Sequence, residues 1–235
     1  MRLEKYLEST FLKTRKESSL SHQDLCSIIQ DLVEEAIEYN FKLVMIRPDY
    51  IEFANKIILA NNSQLLLGTV IDFPNGDEST ENKVKEALLV MQHNISDLDF
   101  VCDYNAFKRK EFEKFDNDII EASRVCINSN KTIKWIIETG ALSKKQIFDI
   151  SQRIAFIINR NFKKNKDDFF IKTSTGYYKS LGAKASDIKL IKKAAVDIKI
   201  KASGGIKNTE DCLRMIEAGA IRIGTSSALN IYQNT

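Results

Sequence analysis

Short β-rich runs recur along this chain, each followed by a stretch with the apolar spacing of an amphipathic helix, and this alternation restricts the fold more than any other feature. The runs are KYLEST near the start, FKLVMI (41–46), QLLLGTVI (64–71), DLDFVCDY (97–104), TIKWIIE (132–138), DFFIKT (168–173), VDIKIKAS (196–203) and AIRIGT (220–225). They follow one another at about 30 residues, the length of one strand–helix unit. Helix start signals fall between them: Ser21 stands three before Asp24, Ser143 three before Gln146 and Asn208 three before Asp211. A crossover helix returns the chain in its original direction, so the strands are expected to be parallel. Eight units predict an α/β chain folded as a closed (β/α)8 TIM barrel, one domain spanning residues 1–235. An open doubly wound sheet is the competing architecture, but no GxGxxG follows the first strand and eight units exceed its usual need. Pro48 and Pro74 lie just beyond predicted strands, as turn residues should.

The composition excludes several classes. With 43% apolar and 29% charged residues in a chain of 235, a sizeable core is available and disorder is ruled out. The 35 Lys and Arg against 32 Asp and Glu leave a net charge of +3 without basic blocks, so nothing demands nucleic acid or an anionic membrane. No apolar run approaches the ~18 residues of a membrane helix. The start, MRLEKYLEST, has charges where a signal peptide needs apolar residues, and a cytoplasmic enzyme or binding protein is expected. Cys26, Cys102, Cys126 and Cys212 are isolated and His22 and His93 sit in polar surroundings, which argues against a metal site and a disulfide framework.

A barrel gathers its chemistry at the carboxyl ends of its strands. Two lysines stand inside apolar strand contexts: Lys172 in FFIKTSTG and Lys201 in IKIKASGG. A buried lysine is costly unless it is paired or gives up its charge. Two such lysines in one mouth disfavour each other's protonation, and burial adds to this; the neutral amine that results can attack a carbonyl to form an imine. The alternative is that they snorkel outward from the strand ends. Asp99, in the alternating segment DLDFVCDY, falls on the same strand face as Asp97, Val101 and Asp103, where it could hold an ammonium and relay protons; Glu8 in KYLEST could join it.

Glycine is scarce and unevenly placed. Of nine glycines, Gly176, Gly182, Gly204, Gly205, Gly219 and Gly224 all follow Thr175. ASGGIKN and RIGTSSAL put glycine and small hydroxyl residues between a strand and a helix start, where backbone N–H groups can approach an anion. The loops after strands seven and eight of such barrels, with a short extra helix that SSALNIY can supply, frequently bind phosphate. Gly204, Gly205 and Gly224 are assigned to that cradle, with Lys207 as a point charge and Gly176 nearby. Gly182 and Gly219 read as ordinary turn glycines.

These segments, in this order and spacing, resemble the deoxyribose-phosphate aldolase family of class I aldolases. KTSTG (172–176), KASGGIK (201–207) and RIGTSS (222–227) are similar to its strand six, seven and eight motifs, and VIDFPNG (70–76), DFVCDYNAFK (99–108) and IIETGAL (136–142) to its strand three, four and five segments. The resemblance runs from about Tyr6 to Leu229. It implies that Lys172 forms the Schiff base, that Lys201 lowers its pKa, and that Asp99 is the proton-relay aspartate, with Glu8 beside them. Thr173, Gly176, Gly204, Gly205, Lys207, Gly224, Ser226 and Ser227 would bind the phosphate and the rest of the substrate. The implied reaction is reversible cleavage of 2-deoxy-D-ribose 5-phosphate to acetaldehyde and D-glyceraldehyde 3-phosphate, in deoxyribose phosphate catabolism, without metal or organic cofactor. The expected partners are small phosphorylated sugars and aldehydes, and the expected assembly a homodimer or homotetramer. Two segments depart from the family pattern. The first strand carries Glu8-Ser9-Thr10 in place of an aspartate-x-threonine pattern, and the second carries Met45-Ile46-Arg47-Pro48 where a cysteine is frequent; Arg47 is expected near the mouth, bearing on substrate preference. Another phosphosugar aldolase or isomerase, and a non-catalytic sugar-phosphate sensor, are the other readings.

Overall fold

In the computed structural model, which describes residues 2–179 and 182–234, every β-rich run contains a strand. The strands are β1 (Leu7–Phe11), β2 (Leu43–Ile46), β3 (Leu66–Ile71), β4 (Asp97–Val101), β5 (Thr132–Ile136), β6 (Phe169–Lys172), β7 (Lys199–Ser203) and β8 (Arg222–Thr225). All pairings are parallel and run β1 to β8 in chain order; the barrel closes where Leu7, Glu8 and Ser9 stand opposite Ile223, Gly224 and Thr225. The helices are α1 (Arg15–Ser18), α2 (His22–Glu38), α3 (Ile51–Ala60), α4 (Thr80–Val90), α5 (Tyr104–Arg109), α6 (Phe112–Asn128), α7 (Lys144–Asn161), α8 (Ala185–Ala194), α9 (Thr209–Ala218) and α10 (Ala228–Gln233). The closed barrel is thus the fold, and the open sheet is excluded.

Local chemistry sets the boundaries. The hydroxyls of Ser21 and Ser143 accept the N–H of Asp24 and Gln146, whose side chains accept in return, so both helix starts are reciprocal capping boxes. Asn208 caps α9 by accepting the Asp211 N–H at 2.8 Å. β4 is shorter than its run because Asp103 turns to cap α5, accepting the Ala106 N–H at 2.7 Å. β5 ends before Glu138, which takes a left-handed φ of 53°. Gly219 caps the end of α9 at φ 120°, as a turn glycine should.

The main core lies between the barrel and its helices. There Leu98, Phe100 and Cys102 pack outward from β4, with Phe100 stacked on Trp135 at 5.0 Å. The barrel interior is divided. On one side Leu12, Leu43, Met45 and Val70 form a small apolar cluster, Gly68 leaving room for the Met45 terminal methyl. On the other, β1 and β4 to β8 supply charged side chains. Three of the four free cysteines are buried, and among the described residues no helix is long and apolar enough to cross a membrane.

A second buried ion group anchors the loop after β3. Lys83 of α4 is fully buried, and its Nζ donates to the Gly76 carbonyl at 3.0 Å and to Asp118 at 2.8 Å, with Asp72 at 3.5 Å. Burial pushes the Asp72 carboxyl up to about 6 although Lys83 opposes it. Removing one partner of a buried pair strands the other, at about 3–5 kcal/mol. Lys83→Met should therefore lose about that much stability in urea denaturation; a loss below about 1 kcal/mol, the range of a surface pair, would contradict this role.

Candidate active site

Parallel register brings the charged residues to one depth. Asp99 stands opposite Lys134, Lys172 opposite Lys201, and Lys201 opposite Arg222. Asp99 is the hub: its Oδ2 accepts from Lys172 Nζ and Lys201 Nζ, each at 2.8 Å, and its Oδ1 accepts from Lys134 at 2.9 Å. Glu8 accepts from Lys201 through Oε2, while its Oε1 lies 3.5 Å from Arg222 and 3.8 Å from Lys134. Asp97 accepts from Lys134 at 2.7 Å. Lys172, Lys201, Lys134, Glu8, Asp97 and Asp99 are all buried, none more than 2% exposed.

The network joins four cations, Lys134, Lys172, Lys201 and Arg222, to three carboxylates, Glu8, Asp97 and Asp99. One positive charge is in surplus, and the lysine that yields is Lys172. Burial pushes its amine down to about 8; Asp99 opposes that shift and the Lys201 ammonium adds to it. Burial also works against the charged form of Asp99, but Lys134, Lys172 and Lys201 together hold it well below the usual carboxylate range. Lysine–lysine repulsion, the cause expected from the sequence, is thus secondary to burial.

Lys172 and Lys201 form the floor of a cavity of about 740 Å³, whose wall and rim include Gly176, Gly204, Gly205, Lys207, Gly224 and Ser226. The Gly205 and Ser226 N–H groups are not engaged by other groups among the described residues. Gly176 and Gly204 have φ of 86° and 92°, and a Cβ on Gly204 would lie 3.0 Å from the Gly182 Cα and 3.3 Å from the Gly176 Cα. Gly182 is therefore no ordinary turn glycine: its own Cβ would collide with the Gly204 carbonyl, which accepts the Ala183 N–H at 3.0 Å.

Two assignments are corrected by this geometry. Thr173 does not line the cavity; its hydroxyl donates to the Ser203 carbonyl at 3.1 Å and accepts the Ser203 N–H at 3.0 Å, tying β6 to β7. Ser227 also lies off the cavity, its N–H donating to Thr225 Oγ1 at 2.9 Å. Arg47 is near the mouth, as expected, without lining the cavity: it donates to the carbonyls of the cavity-lining Leu12 (2.8 Å) and of Phe73 (3.0 Å) and lies over the Phe73 ring, so it staples the loops behind the wall. Gly224 keeps its place with a different reason: a Cβ there would meet Lys201 Cε at 2.9 Å, so the missing side chain makes room for the lysine.

Sequence reasoning missed Lys134, Asp97 and Arg222 as members of the network. Lys134 carried the signal already used for Lys172 and Lys201, a lysine within an apolar strand, TIKWIIE. It also missed how Glu138 fixes the loop after β6, accepting the Thr175 N–H at 3.1 Å and the Thr175 hydroxyl. Tyr177 of that loop donates to the Leu12 carbonyl at 2.9 Å and packs edge-on to Phe73, closing the wall toward β1.

No protein-family model matches the sequence. The deoxyribose-phosphate aldolase of Mycoplasmopsis pulmonis is 39% identical over 236 residues, covering 100% of this chain and 97% of that one. The chain belongs to the deoxyribose-phosphate aldolase family. Deoxyribose-phosphate aldolase 1 of Staphylococcus aureus (strain MSSA476) is 35% identical over 99% of this chain and 96% of its own length. The tetrameric deoxyribose phosphate aldolase structure from Aeropyrum pernix superposes with a TM-score of 0.80 at 26% identity, covering 98% of this chain and 89% of that one. Members of this family are lyases.

The glycine contact yields a test. Gly204→Ala and Gly205→Ala both place a side chain at positive φ, but a Cβ on Gly205 meets nothing within 4 Å. Left-handed strain alone is worth about 1–3 kcal/mol. Gly204→Ala should show that loss plus a steric increment in urea denaturation; equal losses for the two variants would refute the close packing of Gly176, Gly182 and Gly204.

Proposed function

We propose that this chain is a cytoplasmic class I aldolase that reversibly cleaves 2-deoxy-D-ribose 5-phosphate to acetaldehyde and D-glyceraldehyde 3-phosphate in deoxyribose phosphate catabolism. The observation that carries the reading is Lys172, a buried amine at the cavity floor brought down to about 8 and hydrogen-bonded to Asp99. The neutral amine adds to the substrate aldehyde, and the carbinolamine loses water to give an imine. The bond between the second and third sugar carbons then breaks. Its electron pair passes into the imine to form an enamine, while the third-carbon hydroxyl loses its proton and becomes the aldehyde of glyceraldehyde 3-phosphate. Protonation of the enamine carbon and hydrolysis release acetaldehyde and restore Lys172.

Asp99 Oδ2 bonds both Lys172 and Lys201, so a proton leaving one amine has a bonded path toward the other. The rim formed by Gly176, Gly204, Gly205, Lys207 and Ser226 would receive the phosphate, with backbone N–H groups and one exposed ammonium, and so set the sugar carbons against Lys172. A pure sugar-phosphate sensor would need that rim and would have no use for the buried cations. Homo-oligomeric assembly is part of the proposal; apolar side chains stand exposed on the outer helices, among them Leu59, Leu89 and Phe156.

Borohydride reduction in the presence of acetaldehyde tests the chemistry. The label should appear on the peptide containing Lys172, and Lys172→Ala should take up none. Because only the neutral amine adds, the initial trapping rate should rise with pH through a midpoint of about 8. A label on another lysine, or a rate indifferent to pH between about 6 and about 10 (roughly two pH units either side of that midpoint), would sink the assignment.

A further inference from the structure

We infer that Lys134 is a positioning residue of this site: sealed beneath the cavity, its ammonium holds one oxygen of Asp99 so that the other serves Lys172 and Lys201, and its charge makes Lys172 the surplus cation. The inference rests on the reading of Lys172 as the imine-forming amine.

Lys134 cannot touch a substrate, since it is fully buried and does not line the cavity. Its Nζ is bracketed by Asp97 at 2.7 Å and Asp99 at 2.9 Å, with Glu8 at 3.8 Å and the Phe170 ring at 5.9 Å. A carboxylate gripped at one oxygen cannot rotate, which leaves Asp99 Oδ2 as a fixed acceptor for two amines at equal distance. Burial alone would drive the Lys134 proton off, but Asp97 and Asp99 outweigh it and hold the amine above the usual lysine range. Lys134 is therefore a constant charge while Lys172 titrates.

The count of charges gives the consequence. With Lys134 present there are four cations for three carboxylates, and one can lose its proton while leaving the network balanced. Without it, three cations face three carboxylates, Asp99 Oδ1 has lost its donor, and Lys172 is held as an ammonium. The other groups around Lys172 and Lys134 are Glu8 from β1, Asp97 from β4, Glu138 beyond β5, Lys201 from β7 and Arg222 from β8; Lys42, before β2, faces Asp97 and Glu8 from the opposite end. None of these replaces the bond to Asp99 Oδ1.

The test follows the pH midpoint of acetaldehyde-dependent borohydride trapping in the full-length protein. Lys134→Met should move the midpoint up by about one unit or more and slow trapping about 10-fold at pH 7. Asp97→Asn leaves four cations for two carboxylates and should move it down. The double variant Lys134→Met/Asp97→Asn, with three cations for two carboxylates, should bring it back toward the wild-type value. A buried spacer of purely structural importance would lower stability without shifting the midpoint in opposite directions. If Lys134→Met does not fold, the fall in Asp97→Asn and the return in the double variant carry the test. Midpoints that stay put in the folded variants overturn the role of Lys134 and leave the Lys172 assignment standing; wild-type protein that traps nothing at any pH overturns both.

Discussion

Asp99 is the group on which the site depends. Three lysines from three strands converge on its two oxygens, and closure of the barrel makes this possible by turning β4, β5, β6 and β7 toward one axis. A buried ion network of this kind is weak evidence for stability, because desolvation of each charge offsets most of the attraction. Its value here lies in its imbalance. Four cations share three carboxylates, and the surplus is resolved at Lys172, one of the two amines of the cavity floor that bond Asp99. The apolar half of the barrel interior, with Leu43, Met45 and Val70, leaves the charged half without competing polar partners.

Around this core the loops carry a separate function. The loops after β1, β2, β3 and β6 are held to one another by Arg47, Phe73, Tyr177 and the Leu12 carbonyl, and the loops after β6 and β7 by the close packing of Gly176, Gly182 and Gly204. The first group shapes a wall. The second brings bare backbone to the rim. Binding and proton chemistry are thereby assigned to different depths of the same cavity, so substitutions at the rim and on the floor should be separable in their effects.

Much of this was legible in the sequence because it follows from local rules. Period and capping placed all eight strands and the starts of α2, α7 and α9, and lysines within apolar strands led to Lys172 and Lys201. What could not be read were relations across strands. Thr173 and Ser227 have the residue type of a phosphate ligand, yet the Thr173 hydroxyl is taken up by the Ser203 backbone and the Ser227 N–H by the Thr225 hydroxyl. Gly224 looks like a cradle glycine until Lys201 is seen passing it. Arg47 faces loop carbonyls, an outcome fixed by the positions of Leu12 and Phe73, which lie 35 and 26 residues away in sequence. Lys134 is masked for another reason: the apolar run TIKWIIE continues past the end of β5, so in the sequence this lysine stands far from the end of its run, whereas Lys172 and Lys201 stand close to the ends of theirs.

The most direct test is an NMR titration of isotope-labelled lysine side chains in the unliganded protein, compared with the same titration of Lys172→Met. One lysine should titrate at about 8, and its signal should be absent from the variant. Lysines that all titrate near the ordinary value of about 10.4 or above, or a low-titrating signal that survives the substitution, would contradict the claim that the buried network discharges Lys172.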